Sequence, residues 1–346
     1  MSAMSDQVVD FAPLRIKQVV RETDDAVSLV LDVPAEHSAQ FRYRAGQFLT
    51  LAVTVAGNDH RRCYSMSSFP HNGNDLRITI KRDPGGLVSN YLNDTAEPGQ
   101  QIRALPPDGR FVLGEAERDI VAFAGGSGIT PIFSLLGSAL ATTRRRVKLF
   151  YANRTRDSVI FGRALDDLAA ANPDRLTVTH HFDEEAGVVR SGAVAAFVNS
   201  DRTISRDVDY YICGPGPFMD TVEHTLLNMG VPRDRVHLER FSVAPAPVTL
   251  AEATAQTTEI VIELDRRTTT VEYRPGNTLL QTARMAGLRA PSSCETGSCG
   301  TCMARVVCGS ARMLNNDALD DDEVADGWVL TCQSVPTSPT VHVVYE

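Results

Sequence analysis

The sequence is short of positive charge. Its 34 Lys and Arg stand against 43 Asp and Glu, for a net charge of −9 at pH 7. That balance excludes broad nucleic-acid binding, which needs a basic face. No apolar run approaches the roughly 20 residues that span a bilayer, so no membrane association is expected. The opening MSAMSDQVVDFAPL lacks a basic segment followed by an apolar core, which argues against a secretory signal. The chain is therefore expected in the cytoplasm, where thiols stay reduced. There is no internal repeat, and no basic arm or DNA-binding helix. What is present is cysteine, seven of them, crowded toward one end. In a reducing compartment that crowding points to metal binding or redox chemistry more than to disulfides.

The 346 residues suit two or three domains. Residues 8–112 carry alternating strands such as LRIKQVV, AVSLVLDV and DLRITIKRD, separated by polar turns, which read as an antiparallel barrel or sandwich. Residues 113–242 alternate buried-type strands (DIVAFA, VKLFYA, LTVTHHF, DYYIC) with helical stretches, SVIFGRALDDLAAAN and PFMDTVEHTLLNMG. That is the rhythm of a parallel α/β sheet. Residues 243–257 hold two prolines, five alanines and one charge, a linker composition. Residues 258–346 open with two strands, continue with the helix TLLQTARMAG stopped at Gly287, and close with GWVLTCQSV and TVHVVYE as strands, an α+β unit.

The last segment contains CETGSCGTC at 294–302 and a fourth cysteine, Cys332, after 29 intervening residues. The spacing C-x4-C-x2-C followed by a distant cysteine matches the plant-type [2Fe–2S] pattern. Cys294, Cys299, Cys302 and Cys332 are thus the candidate metal ligands. Gly297 and Gly300 let the loop wrap closely, and Ser293, Ser298 and Thr301 can add hydroxyl donors. A structural zinc site is the competing reading, but it usually pairs two C-x2-C knuckles and only one is present. Cys308 competes for the fourth ligand position; its strand-like surroundings, ARVVCGSA, make it a packed thiol.

Three further stretches suit nucleotide chemistry. In HRRCYSMSS, Arg62 can grip a phosphate, Tyr64 on the same strand face can stack on a flat ring, and Ser65 can reach the ring's edge. In GGLVSNYLND, a helix starting near Leu87 offers the N–H groups of Gly86, Leu87, Val88 and Ser89 to a pyrophosphate. In DIVAFAGGSGITPIFSLL, Gly126, Ser127 and Gly128 form a turn between strand and helix, with Thr130 as helix cap and Pro131 at the first helical position. This is not G-x-G-x-x-G, so the standard dinucleotide fingerprint does not apply. A second turn, Cys213, Gly214 and Pro215 of CGPGPFM, would share one crevice with the first.

Together these motifs resemble the ferredoxin–NADP reductase superfamily, and the domain order is similar to members carrying a C-terminal plant-type ferredoxin domain with a β-grasp-like fold. The resemblance implies FAD at Arg62, Tyr64, Ser65 and residues 86–89, with the helix motif Gly86, Ser89, Leu92 similar to the FAD branch. An FMN-binding branch, that of phthalate dioxygenase reductase, shares the domain order. It also implies NADH at Gly126, Ser127, Gly128, Thr130 and Pro131, Cys213 bordering the nicotinamide, and Glu239 and Phe241 closing over the flavin. Arg154 and Arg156 suit the 2′-phosphate of NADPH, although YANRTRDSVIFG is similar to NADH users. RCYSMSS, AGGSGITPI, YANR and ICGPGPFM most resemble the reductase components of multicomponent oxygenases, those of 3-ketosteroid 9α-hydroxylase first and of phenylacetyl-CoA epoxidase next. This resemblance implies a monomer that passes electrons from NADH through FAD and the cluster to a terminal oxygenase of Rieske or diiron type. A stand-alone flavin oxidoreductase and an iron–sulfur sensor are the other classes open to this composition.

Overall fold

The computed structural model describes residues 11–70, 75–200, 207–241 and 257–346. The chain divides into two compact units, one up to Glu239 and one from Arg240 onward. The first unit begins with β1 (Ala12–Thr23), β2 (Ala26–Asp32), β3 (Phe48–Val55), β4 (Asn58–Ser65), β5 (Leu76–Lys81), α1 (Leu87–Thr95) and β6 (Gln101–Ala104). The strands order as β4-β3-β6-β1-β2-β5, with antiparallel pairing throughout. The two edges meet where Met66 bridges Ile78 and the Ser67 amide donates to the Arg77 carbonyl at 2.7 Å. Alternate residues of these strands (Leu14, Ile16, Leu29, Leu31, Leu49, Leu51, Ile78, Ile80) fill one core, as period-2 patterning requires.

The same unit continues through β7 (Asp119–Gly125), α2 (Ile129–Thr142), β8 (Val147–Asn153), α3 (Gly162–Ala171), β9 (Leu176–Phe182), α4 (Asp183–Ala186), α5 (Ser191–Asn199), β10 (Val208–Gly214), α6 (Gly216–Asn228) and β11 (Val236–Arg240). The sheet order is β11-β10-β7-β8-β9, and β10, β7, β8 and β9 run parallel. Cores form on both faces, as the continuous apolar runs of these strands demand. Two local expectations fail. The helix after the first glycine turn starts at Ile129 with Gly128 at its cap. Thr130 instead donates its hydroxyl to the Ser127 carbonyl at 3.0 Å, and Pro131 falls at the third helical position. The helix expected over 158–172 begins only at Gly162, because Phe161 adopts φ +62°. That backbone lets Phe161 stack on Phe133 at 4.8 Å and beneath the Arg77 guanidinium at 5.1 Å.

The second unit holds β12 (Glu259–Leu264), β13 (Arg267–Glu272), α7 (Leu279–Met285), β14 (Met303–Cys308), β15 (Ala311–Met313), α8 (Asp321–Ala325), β16 (Trp328–Leu330), β17 (Ser334–Pro336) and β18 (Thr340–Val344). A mixed sheet runs β13-β12-β18-β14-β16, with β15 and β17 paired beside it. Leu279, Leu280 and Ala283 of α7 pack on Ile260, Ile262, Val341 and Val343. Thr278 and Gln281 cap α7 reciprocally, and Gly287 at φ +76° ends it as expected. The expected single strand GWVLTCQSV is two short strands parted by a tight turn at Thr331–Gln333, which carries Cys332. Apart from Thr257, the expected linker lies outside the described residues.

Candidate functional site

The segment between α7 and β14 turns sharply at Glu295 (φ +59°), Gly297 (+90°) and Gly300 (+76°). A Cβ on Gly297 would lie 2.9 Å from the Asn315 carbonyl oxygen, so the approach of the two backbones requires glycine. The winding buries Cys294, Cys299 and Cys302, and the turn after β16 brings buried Cys332 to them. The thiols pair two and two. Cys294 hydrogen-bonds with Cys299, which is pushed upward in pKa by that bond and by burial. Cys302 takes a hydrogen bond from Cys332, which lowers Cys302 and raises Cys332; Cys332 is raised further by Cys294 and Cys299. Four thiolates there need positive charge, and two pairs suit a dinuclear cluster.

The hydroxyl of Thr301 donates to Cys299, whereas Ser298 pairs with Thr296 at 3.0 Å. Cys308 is exposed at the end of β14; the expectation of a packed thiol is wrong, because the strand's last residue leaves the sheet's covered face. Cys63 lies outside the cluster segment, 3.3 Å from the Thr50 hydroxyl.

In the first unit the two glycine turns lie at the carboxyl ends of adjacent parallel strands, with Cys213 level with Ala124. Gly128 packs so closely on the second turn that a Cβ there would lie 2.1 Å from the Cys213 carbonyl oxygen. Gly125 and Gly214 are in similar contact, and Pro215 at the start of α6 is exposed. The Cys213 thiol is buried, and burial followed by the nearby Glu239 raises its pKa, so it stays protonated. Lys81 at the end of β5 was not foreseen. Its ammonium pairs with Asp25 at 3.5 Å and lies 3.8 Å from where a Gly126 Cβ would stand. No motif marks it; only folding brings the end of β5 to this turn.

Arg62, Tyr64 and Ser65 lie along β4, opposite Leu51, Leu49 and Phe48. Tyr64 is half-buried against the core of the first sheet, and desolvation raises its phenol well above the ordinary value. Arg62 donates to the Arg61 carbonyl at 2.7 Å. The Ser65 hydroxyl is buried and has no hydrogen-bond partner among the described residues. A buried hydroxyl left unpaired leaves room for a partner from outside the chain, and a flavin edge fits. Gly86 precedes α1, where a Cβ would strike the Ser89 hydroxyl at 2.5 Å; Val88 and Ser89 are buried and Leu87 is exposed. Phe241, just past β11, is exposed.

Three family models match in order: an oxidoreductase FAD-binding domain over residues 13–113, an oxidoreductase NAD-binding domain over 123–224, and a 2Fe-2S iron-sulfur cluster binding domain over 262–337. The chain is 40% identical to the ferredoxin reductase component of 3-ketosteroid-9-alpha-monooxygenase from Mycobacterium tuberculosis, over 99% of this chain and 97% of that one. The chain belongs to this family of oxygenase reductases. It is also 30% identical to a component of the 1,2-phenylacetyl-CoA epoxidase of Escherichia coli, over 97% and 98% of the two chains. The solved phthalate dioxygenase reductase, a modular structure for electron transfer from pyridine nucleotides to [2Fe-2S], aligns at TM-score 0.64 and 27% identity, covering 97% of this chain and 98% of that one.

As an oxygenase reductase the chain is an oxidoreductase with FAD-, NAD- and [2Fe–2S]-binding domains. Among the described residues no helix is long and apolar enough to cross a membrane. The structure separates the two arginines that suit NADPH. Arg156 is committed to Glu185, at 2.8 Å, and lies over the Phe182 ring. Arg154 is exposed, with its carbonyl accepting from the amide of Glu184 in the acidic α4.

Proposed function

We propose that this reductase delivers electrons from NADH to a Rieske-type oxygenase that hydroxylates a 3-ketosteroid. The observation that carries the reading is the 40% identity to a 3-ketosteroid-9-alpha-monooxygenase reductase through all three domains, against 30% to the epoxidase component. On this reading the first sheet is a flavin barrel, the parallel sheet holds the dinucleotide and the last unit is a β-grasp ferredoxin. The molecule works as a cytoplasmic monomer.

A bound FAD would supply the conversion of NADH's two-electron hydride into single electrons, and a bound [2Fe–2S] cluster would supply a one-electron carrier toward the oxygenase. The residues of this chain position and insulate. Arg62 holds the flavin's phosphate and Tyr64, kept neutral by burial, lies along its ring. Ser65 gives its unpartnered hydroxyl to the ring's reactive edge. Gly86, Leu87, Val88 and Ser89 offer backbone N–H groups at the start of α1 to the pyrophosphate. Gly126, Ser127, Gly128, Thr130 and Pro131 shape the dinucleotide's seat, with Gly214 and Pro215 forming the opposite lip. Protonated Cys213 borders the nicotinamide as an uncharged wall, so no thiolate competes for the hydride acceptor. The pairing of Arg156 with Glu185 and the carboxylates of α4 disfavour a 2′-phosphate, which supports NADH. Cys294, Cys299, Cys302 and Cys332 hold the cluster.

The test is reconstitution. With NADH and a 3-ketosteroid, the purified chain is expected to drive a 9α-hydroxylating Rieske oxygenase and to leave the diiron component of a phenylacetyl-CoA epoxidase idle. Turnover with the diiron system alone would replace this reading with the epoxidase one.

A further inference from the structure

Arg284, in the last turn of α7, grips the cysteine loop on both sides of Cys294. Its Nη1 donates to Glu295 Oε2 at 3.1 Å, and its Nη2 donates to Glu295 Oε1 at 2.6 Å and to the Ser292 hydroxyl at 2.7 Å. Both partners are partly buried, Arg284 at 37% and Glu295 at 31% side-chain exposure, so water screens the pair only in part. Glu295 is a non-glycine residue at φ +59°, a conformation that persists only where surrounding contacts over-determine it. The second contact comes from the other end of the ligand set. Gln333, next to Cys332, donates its side-chain amide to the Glu295 carbonyl at 2.8 Å. One residue therefore ties the helix, the first ligand and the fourth ligand together. The Glu295 hydrogen bond, the largest cause, raises the Arg284 pKa still further, so the guanidinium stays charged.

A carboxylate one residue from a ligand sulfur opposes the arrival of an electron on the cluster. A guanidinium forked onto that carboxylate cancels its field and directs positive potential toward the sulfurs. We propose that Arg284 is a positioning residue that raises the reduction potential of the cluster, acting through Glu295, with Gln333 fixing the strained loop. The inference rests on the reading that Cys294, Cys299, Cys302 and Cys332 hold the cluster. It adds to that reading the residues that set how readily electrons settle there. No spacing rule identifies Arg284, since it lies ten residues before the first cysteine.

The experiment is an anaerobic redox titration of the full-length protein, followed by the electron paramagnetic resonance of the reduced cluster, with iron content measured for each variant. Arg284→Gln is expected to make reduction about tenfold less favourable, ~59 mV for a one-electron couple. Glu295→Gln should shift it the other way. The double variant Arg284→Gln/Glu295→Gln should return toward the starting value, and Arg284→Lys, which keeps charge but loses the fork, should fall between. A rescue by the second substitution is not expected from mere loosening of the loop. Normal iron loading with potentials that coincide in all four variants would overturn the proposal. If Arg284→Gln loses iron, Arg284→Lys and Glu295→Gln decide it: shifts of opposite sign support the inference, and no shift overturns it. Wild-type protein without about two irons per chain would fail the cysteine reading itself, a result distinct from either.

Discussion

At the scale of single residues, the useful distinction is between groups with a partner inside the chain and groups left without one. Ser65 is the clearest of the second kind, a buried hydroxyl that the fold does not satisfy. Ser65→Ala should keep FAD yet slow its anaerobic reduction by NADH about tenfold, the loss of one hydrogen bond of ~1–1.5 kcal/mol. Stopped-flow traces that match wild type would remove Ser65 from the flavin's edge. The cysteines allow a sharper contrast. Cys332 is buried and paired with Cys302, whereas Cys308 is exposed at a strand's end. Cys332→Ser should abolish the cluster's visible absorption while NADH-driven ferricyanide reduction by the flavin persists. Cys308→Ser should retain full iron content. Iron lost with Cys308 and retained without Cys332 would reverse the ligand assignment.

At the scale of elements, the join between the first sheet and α2 depends on one missing side chain. Phe69 lies against Gly137, where a Cβ would come within 2.1 Å of its ring, and Phe69 packs on Phe133 at 5.0 Å. Gly137→Ala should therefore cost about 1–3 kcal/mol by overpacking, read as a lower midpoint in urea. Adding Phe69→Leu should recover part of the loss, and independent, additive effects would refute the contact. Gly137 also shows what the sequence does not reveal. The strands of the first two sheets and the Gly287 stop of α7 are legible because alternation, apolar runs and a capping glycine are local signals. The start of α2, the delayed start of α3 and the turn at Cys332 are not, because each is decided by a distant partner: the Cys213 backbone at Gly128, Phe133 at Phe161, and the cysteine loop at Thr331, whose hydroxyl donates to the Cys302 carbonyl at 2.8 Å. Cys spacing made the four candidate ligands legible as a group, yet Lys81 and Arg284, which come from other elements, carried no signal.

At the scale of the whole molecule, the two units have separate hydrophobic cores. Ile260, Ile262, Leu279, Val341 and Val343 close the second without drawing on the cores of the first. Each unit therefore contains the buried apolar surface that its own folding needs. Expressed separately, residues 1–241 should bind FAD and reduce ferricyanide with NADH, and residues 257–346 should hold iron without oxidising NADH. What the intact chain adds is proximity. Covalent connection makes the encounter of the two units intramolecular, so micromolar mixtures of the two pieces should reduce the cluster slowly, at a rate proportional to concentration. The intact protein should show a concentration-independent rate. Fragments that matched it at micromolar levels would mean that the units associate tightly without the covalent link, and a first unit that failed to fold alone would mean that its cores depend on the second.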